Sequence, residues 1–231
     1  MLSIIIPTYN EADHIAQTIS KTHDAKGRYD IEIIVVDGGS NDETMAVAKE
    51  CGAITVMSDR KGRAAQMNFG ALIAKYDILY FLHADSIPPN EFTSRILEAY
   101  NKGFKSGCFR LAFDYDHWFL KTHAWFTRFN VNAVRFGDQS LYISKEVFKK
   151  SGGFREDLLM MEDQEIIHRL KKNSRFKVLK DVVTTSARKY LDNGIYRMQG
   201  IFYRIWIMYY LGCSQRQMLN VHRRLIRKHK L

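Results

Sequence analysis

Three acidic groups in this chain stand directly after apolar runs or at a helix start: Asp37, Asp85 and the pair Glu162-Asp163. A carboxylate just past a buried strand can accept hydrogen bonds from a base or ribose. It can also hold a hard divalent cation, which prefers oxygen ligands and shares its coordination with phosphates. Adjacent carboxylates opening a helix can divide the work, one as general base and the other orienting it or the substrate. Two further polar clusters follow strands: Pro7-Thr8-Tyr9-Asn10-Glu11, and Asp37-Gly38-Gly39-Ser40-Asn41-Asp42, whose glycines let a ligand approach the backbone. Each cluster taken alone also has a structural reading. Asp37 and its glycines can form only a turn and cap, Asp85 a turn, Glu162-Asp163 a favourable partner of the helix dipole, and His83 a structural hydrogen bond. Gly38-Gly39 lacks the three glycines of the dinucleotide fingerprint, and no glycine-rich loop follows the first strand. Both absences count against a dehydrogenase and a Walker-type ATPase.

The elements that must position these groups are legible as continuous β-branched runs separated by helical patterns. Strands are expected at Leu2–Pro7, Ile31–Val36, Ala53–Met57 and Ile78–Leu82, with helices over Glu11–Thr22, Asn41 or Asp42 to Cys51, and Gly62–Lys75. Such strands imply a parallel sheet covered on both faces, with ligands bound beyond its carboxyl ends. The second half is less regular. Strands are expected at Cys108–Phe113, Gln139–Ser144 and Phe176–Leu179, and helices at Trp118–Val131, Lys145–Ser151, Met161–Lys172, Asn193–Leu211 and Ser214–Lys228. No element is assigned between Leu82 and Cys108.

The order of the clusters is more specific than any one of them. Pro7-Thr8-Tyr9-Asn10-Glu11, the Asp37 turn, Gly62-Arg63-Ala64-Ala65-Gln66-Met67-Asn68, His83-Ala84-Asp85 and Glu162-Asp163 follow one another in a way that resembles the inverting, family 2 nucleotide-sugar glycosyltransferases. The chain is most similar to a short bacterial subgroup with Leu-His-Ala-Asp and Ser-Ala-Arg segments. The resemblance implies an α/β, GT-A fold: a mostly parallel central sheet flanked by helices, with a helical C-terminal tail. It implies a catalytic domain over 1–192, divided into a nucleotide-sugar-binding half (1–100) and an acceptor-side half (101–192), followed by basic amphipathic helices at 193–231. By the same match, Pro7, Tyr9, Glu11 and Asp37 line the base and ribose pocket, with Asp37 bonded to the base. Arg63 and Asn68 approach the nucleotide. Asp85 binds a divalent metal, Mn2+ or Mg2+, on the diphosphate; His83 replaces the first acid of the usual Asp-x-Asp. Asp163 is the general base with Glu162 beside it, and Arg188 lies near the diphosphate or acceptor. Gly137-Asp138-Gln139 also matches the subgroup, near the acceptor, with no chemical role assigned. The implied reaction moves a sugar from a nucleotide-diphospho-sugar to an acceptor hydroxyl, many acceptors of such enzymes being lipid-linked. The alternatives are a sugar-nucleotide pyrophosphorylase, which would want a Gly-rich, Arg-containing first loop, and a non-catalytic membrane-surface module.

Composition bounds these readings. The 231 residues are 46% hydrophobic and 13% aromatic, which suits one compact domain with a substantial core. No acidic residue follows Asp192, while eight basic ones do, from Arg197 to Lys230, so +8 of the +10 net charge sits in the tail. That argues against nucleic acid as a partner, because such binders spread basic residues over a face. Cys51, Cys108 and Cys213 have no metal or redox spacing, and the N-terminus has no signal-peptide pattern. A cytoplasmic protein is expected, associated with the inner face of the membrane if residues 193–231 lie on lipid rather than pack on the domain. Trp118, Thr122, Trp125 and Phe129 recur at helical spacing; core packing is the first expectation for them, and a sugar- or lipid-binding face the second.

Overall fold

The computed structural model describes residues 1–132 and 137–228; Lys230, in the basic tail, lies outside them. The chain forms one eight-stranded sheet in the order β3-β2-β1-β4-β7-β6-β8-β5. Its first half is parallel: β1 (Leu2–Thr8), β2 (Ile31–Asp37), β3 (Ile54–Met57) and β4 (Ile78–Phe81). Every residue of β1 and β4 is buried, as continuous β-branched and aromatic runs require when both faces are covered. Ile4 and Ile6 enter one core with Ile15, Ile19, Phe92 and Ile96, while Ile5 enters the opposite core with Val36, Met67 and Leu79. This alternation follows from the period-2 geometry of the strand. Helices α1 (Ala12–Ala25) and α4 (Phe92–Asn101) cover the first face. On the second face α3 (Arg63–Ile73) packs so closely that a Cβ on Gly70 would lie 2.5 Å from Ile5. The short α2 (Thr44–Glu50) follows β2.

The second half makes the sheet mixed, although it stays mostly parallel: only β5 and β7 run against the other six strands. β7 (Leu141–Ser144) runs antiparallel to both β4 and β6 (Ser106–Phe113). β8 (Phe176–Thr185) pairs in parallel with β6, with a register shift between Cys108 and Arg110, and β5 (Ser86–Ile87) closes the edge. Around these lie α5 (Trp118–Phe126), α6 (Lys145–Lys150) and α7 (Glu162–Asn173).

Several expectations change here. Phe92–Asn101 is a helix that the sequence reading left unassigned, entered through Glu91 in the left-handed region (φ 59°) and buried through Phe92, Ile96 and Ala99. β8 continues six residues beyond Leu179, because pairing with β6 carries it past Lys180 and Asp181. The expected helix at 193–211 forms as α9 (Ile195–Tyr210), and an unassigned short helix, α8 (Arg188–Asn193), precedes it across Gly194 (φ 87°). Helix α5 ends at Phe126; Thr127 Oγ1 then donates to Ala124 O (2.6 Å) and accepts from Leu111 N (3.0 Å). The stripe on α5 is not core: Trp118, Trp125 and Phe129 are exposed, and Leu120 and Ala124 are the buried positions.

The tail packs on the domain. Met198, Ile201 and Ile205 of α9 meet Met218 of α10 (Gln215–Leu225), Leu120 and Tyr190 in a third core. A capping box between Ser214 and Gln217 starts α10.

Candidate active site

The carboxyl ends of β1, β2 and β4 carry the polar clusters, and loop-to-loop hydrogen bonds fix their shape. Asp37 is fully buried at the end of β2. Its Oδ2 accepts from the amides of Gly39 (2.8 Å) and Ser40 (2.7 Å), and its Oδ1 accepts from Ser40 Oγ (2.5 Å) and Thr8 Oγ1 (3.2 Å). Gly39 takes φ +95°, which a side chain would strain. The Asp37 carboxylate is thus occupied by its own turn, and it shapes the loop rather than facing outward. The first loop is laced to this turn: Asn10 N donates to Ser40 Oγ (2.8 Å), Asn41 N to Asn10 Oδ1 (2.9 Å), and Glu11 N to Thr44 Oγ1 (2.9 Å). Gln66 Nε2 stitches both strand ends from α3 by donating to Thr8 O (2.7 Å) and Val36 O (2.8 Å). Pro7 is buried within β1, whereas the Tyr9 ring is exposed at the rim.

Two charged constellations follow. In the first, Arg188 at the start of α8 donates from Nη2 to both oxygens of Glu11 (2.6 Å each) and lies 3.6 Å from Asp85 Oδ2. Residues 11, 85 and 188 are thereby joined, although 177 positions separate the outer two. In the second, Arg63 at the start of α3 bonds Glu162 Oε1 through Nε and lies 3.2 Å from Asp163 Oδ2 through Nη2. Burial works against the charge on Arg63, but Glu162, Asp163 and Asp138 outweigh it and hold the guanidinium firmly protonated. Glu162 is 1% exposed. Burial pushes its carboxyl up and Asp163 adds to this, against the opposing pull of Arg63.

His83 links the two constellations. It lies two residues before Asp85 and, with Asp163, lines a cavity of about 10 Å³, room for a single water. Its Nδ1 is 2.9 Å from Asp138 Oδ1. Burial lowers the basicity of His83, but the Asp138 hydrogen bond and the Asp138 and Asp163 charges prevail over burial and Arg63, raising it. Burial in turn works against charge on Asp138, while the bond to His83 and the charges of His83, Lys189 and Arg63 hold it down to about 2. The sequence reading gave Asp138 no chemical role. The available signal was its place between Gly137 and Gln139 in a segment matched to the subgroup.

Asn68 lies elsewhere. Its Nδ2 donates to Phe154 O (2.9 Å) and Glu156 Oε1 (2.8 Å), and its Oδ1 accepts from Phe154 N (2.8 Å). The side chain clamps the 153–156 loop to α3 instead of turning to a nucleotide, because it faces a backbone segment with polar groups to satisfy.

Two buried polar atoms in these constellations have no hydrogen-bond partner: Arg188 Nε and Glu162 Oε2. Buried polar atoms are rarely left so, and a ligand can complete them. A groove of about 490 Å³ runs between β6 and α5, lined by Arg110, Asp114, Tyr115, Trp125 and Arg128 among others. Asp114 connects it to the first constellation by accepting from Ala187 N (2.7 Å), one residue before Arg188.

Comparison with known proteins bears on the fold and the family. Two curated relatives are each 30% identical to the chain. One is an undecaprenyl-phosphate 4-deoxy-4-formamido-L-arabinose transferase of Pseudomonas fluorescens, matched over 112 residues that make 45% of this chain and 33% of that protein. The other is a dolichol-phosphate mannosyltransferase of Pyrococcus furiosus, matched over 107 residues, 44% of this chain and 30% of that one. The chain thus spans about a third of the length of these relatives. Among solved structures, the mannosyltransferase PcManGT from Pyrobaculum calidifontis, in complex with GDP-Man and Mn2+, superposes with a TM-score of 0.70 at 17% identity. That superposition covers 87% of this chain and 61% of the other. TarS 1–349 of S. aureus in complex with UDP-GlcNAc gives 0.67 at 15%, covering 97% and 71%. These likenesses establish the GT-A fold. The family model for glycosyl transferase family 2 matches residues 3–160, more than half of the chain, and ends just before Glu162-Asp163. The chain belongs to glycosyl transferase family 2.

Proposed function

We propose that the chain transfers a sugar from a nucleotide-diphospho-sugar to an acceptor hydroxyl with inversion, Asp163 serving as general base. The observation that carries this reading is the pair of constellations joined through His83, in which Asp85, Asp163, Arg63 and Arg188 gather at the carboxyl ends of the strands. Residues 1–100 hold the donor, with Tyr9 and Glu11 facing the nucleoside from a loop that Asp37 keeps in shape. Arg188, with its unpartnered Nε, supplies positive charge to the departing diphosphate, where charge develops in the transition state. Asp163 takes the proton of the attacking hydroxyl, and Arg63 fixes its position. One base and direct attack give inversion at the anomeric carbon.

The donor set near Asp85 suits a hard divalent cation of one kind. No group of three or more potential ligands occurs among the described residues, so an all-protein cage is not supported. A single carboxylate beside a diphosphate site fits Mn2+ or Mg2+ completed by phosphate oxygens and water. His83 has Nδ1 committed to Asp138 and brings no carboxylate oxygen. When bound, the cation would neutralise charge on the leaving diphosphate. The Mn2+ in the PcManGT complex supports this assignment.

Residues 101–192 form the acceptor side, where the groove between β6 and α5 offers the room. Undecaprenyl phosphate and dolichol phosphate in the names of the two curated relatives support a lipid-linked acceptor. Among the described residues no helix is long and apolar enough to cross a membrane. The reading that such an acceptor is met at the inner membrane surface rests on the lipid phosphates in those relatives' names and on the basic charge of the tail. Thermal-shift titration with UDP- and GDP-sugars and Mn2+ tests the donor assignment. A matching donor should stabilise the fold by about 2.7 kcal/mol at a hundred times its dissociation constant. No response to any nucleotide sugar, with or without metal, would contradict the proposal.

A further inference from the structure

Helix α9 is apolar on two sides, and only one of them is covered. Met198, Ile201 and Ile205 face the third core, while Tyr196, Tyr203, Ile207 and Tyr210 form a second stripe at i, i+7, i+11 and i+14 that faces outward. The outward stripe of α5 lies beside it. Phe119 and Tyr196 stack edge to face at 4.8 Å between ring centroids, and His123 Nε2 bonds Tyr203 Oη at 2.6 Å. The two stripes therefore make one continuous surface, on which Trp118 is 65% exposed, Tyr196 56% and Tyr210 54%. Isolated exposed aromatics need no explanation, but a contiguous set on two adjoining helices marks an interaction surface.

Charge selects its occupant. Arg204 is exposed on α9 and Arg128 stacks over Trp125 at 4.4 Å, while the charge of Lys121 on α5 is matched by Asp116 at 2.7 Å. No acidic residue follows Asp192, so nothing on α9 opposes an anionic surface. A two-fold contact with a second copy would set the same basic patch against itself. Trp and Tyr, apolar with one polar atom, suit the boundary between headgroups and acyl chains. We propose that the composite face of α5 and α9 docks the protein on an anionic lipid surface, with both helices lying in the interfacial plane. The face differs from the C-terminal segment that its charge alone singles out: α10 turns Met218 and His222 inward and serves to hold α9. Arg188 opens α8, the short helix directly before α9, so the first constellation and the docking face are neighbours along the chain. The inference deepens the reading of a lipid-linked acceptor.

The experiment is co-sedimentation of the full chain with vesicles of phosphatidylcholine alone or with one-third phosphatidylglycerol, read without any transfer step. Donor hydrolysis in vesicle-free solution is measured in parallel, so docking and sugar transfer can fail separately. The chain should pellet with anionic vesicles and not with zwitterionic ones. The triple variant W118S/I207S/Y210S, which removes only exposed side chains, should lose pelleting by at least about tenfold and keep its vesicle-free hydrolysis. In the unaltered chain, brominated lipid should quench tryptophan fluorescence, which keeps the proposal testable if the variant misfolds. Negligible pelleting with anionic vesicles overturns it. So does pelleting of a folded triple variant equal to that of the parent, or a concentration-dependent dimer that this variant converts to monomer.

Discussion

The carboxylate of Asp163 sits 3.2 Å from Arg63, and the same guanidinium bonds the buried Glu162. That geometry separates two roles that substitution can test. Asp163→Asn keeps shape and hydrogen bonding but cannot take a proton, so turnover should fall about 10²–10⁴-fold while donor affinity holds. Calorimetry alongside steady-state kinetics checks this; equal loss of affinity and turnover would reassign Asp163 to donor binding. Arg63→Ala leaves Glu162 buried beside Asp163 without its counter-charge. Solvent already screens part of the pair, because Arg63 is 40% exposed, so a loss of about 1–3 kcal/mol is expected. Arg63→Lys should recover only part, since a point charge cannot replace the fork. An unchanged urea midpoint in Arg63→Ala would remove the positioning role. Asp85→Ala should weaken Mn2+-dependent donor binding by at least about tenfold and leave metal-free binding as it was. Parent-like affinity with Mn2+ would dismiss Asp85 as the ligand. The positions of these residues, though not their roles, were readable in order and spacing, because polar clusters follow strand ends. What was not readable is which way a side chain turns. Asp37 and Asn68 stand in the expected segments, yet one is occupied by its own turn and the other by a neighbouring loop. Asp138 stood out in the sequence only as part of a matched segment; its pairing with His83 depends on the 137–139 turn meeting the end of β4.

Among the elements, the contact between α3 and the 153–156 loop is held largely by Asn68. Asn68→Ala removes three hydrogen bonds and leaves the Phe154 backbone unsatisfied, a cost of about 1–3 kcal/mol. Donor affinity should be unchanged, as measured by calorimetry on the folded variant. A selective loss of donor affinity at parental stability would restore Asn68 to the nucleotide site. β1, β2 and β4 were legible because buried parallel strands leave uninterrupted apolar runs, as in Ile4-Ile5-Ile6 and Ile33 to Val36, whereas β3 is an edge strand with no buried residue. Later elements carry mixed signals. β8 alternates buried residues with Lys177, Lys180 and the exposed Val182, and its length depends on its partner. Helix α4 begins from a left-handed residue with no side-chain cap, so no start signal marks it. Helix α8 has only six residues, too few for a periodicity to stand out in the sequence, and Gly194 separates it from α9.

Across the whole molecule, the tail belongs to the domain through the third core, and a buried histidine couples that core to pH. His222 is 3% exposed and its Nδ1 has no hydrogen-bond partner. Burial, with Lys189 and Arg223 adding, lowers its pKa to about 4. Above about pH 6.5 the imidazole is neutral folded and unfolded, so it contributes no pH dependence. Below that, the unfolded chain binds a proton that the folded chain refuses. Stability should therefore fall as pH drops from 6.5 towards 4, by on the order of 3 kcal/mol at the lower end. His222→Leu should flatten this part of the denaturation profile; an identical slope in the variant would place the effect elsewhere. Net charge pointed to the tail as a distinct region, but only the fold reveals that one face of α9 is inside and the other outside. Sugar transfer from a nucleotide-diphospho-sugar with Asp163 as base is the central proposal. The most direct test is to incubate the protein and its Asp163→Asn variant with a panel of UDP- and GDP-sugars, Mn2+ and a membrane-lipid extract, and to measure nucleoside diphosphate release. One donor should yield diphosphate with the parent protein, and the variant should bind that donor without turning it over. Parental release rates from the variant, or no release from any donor by either protein, would contradict the account.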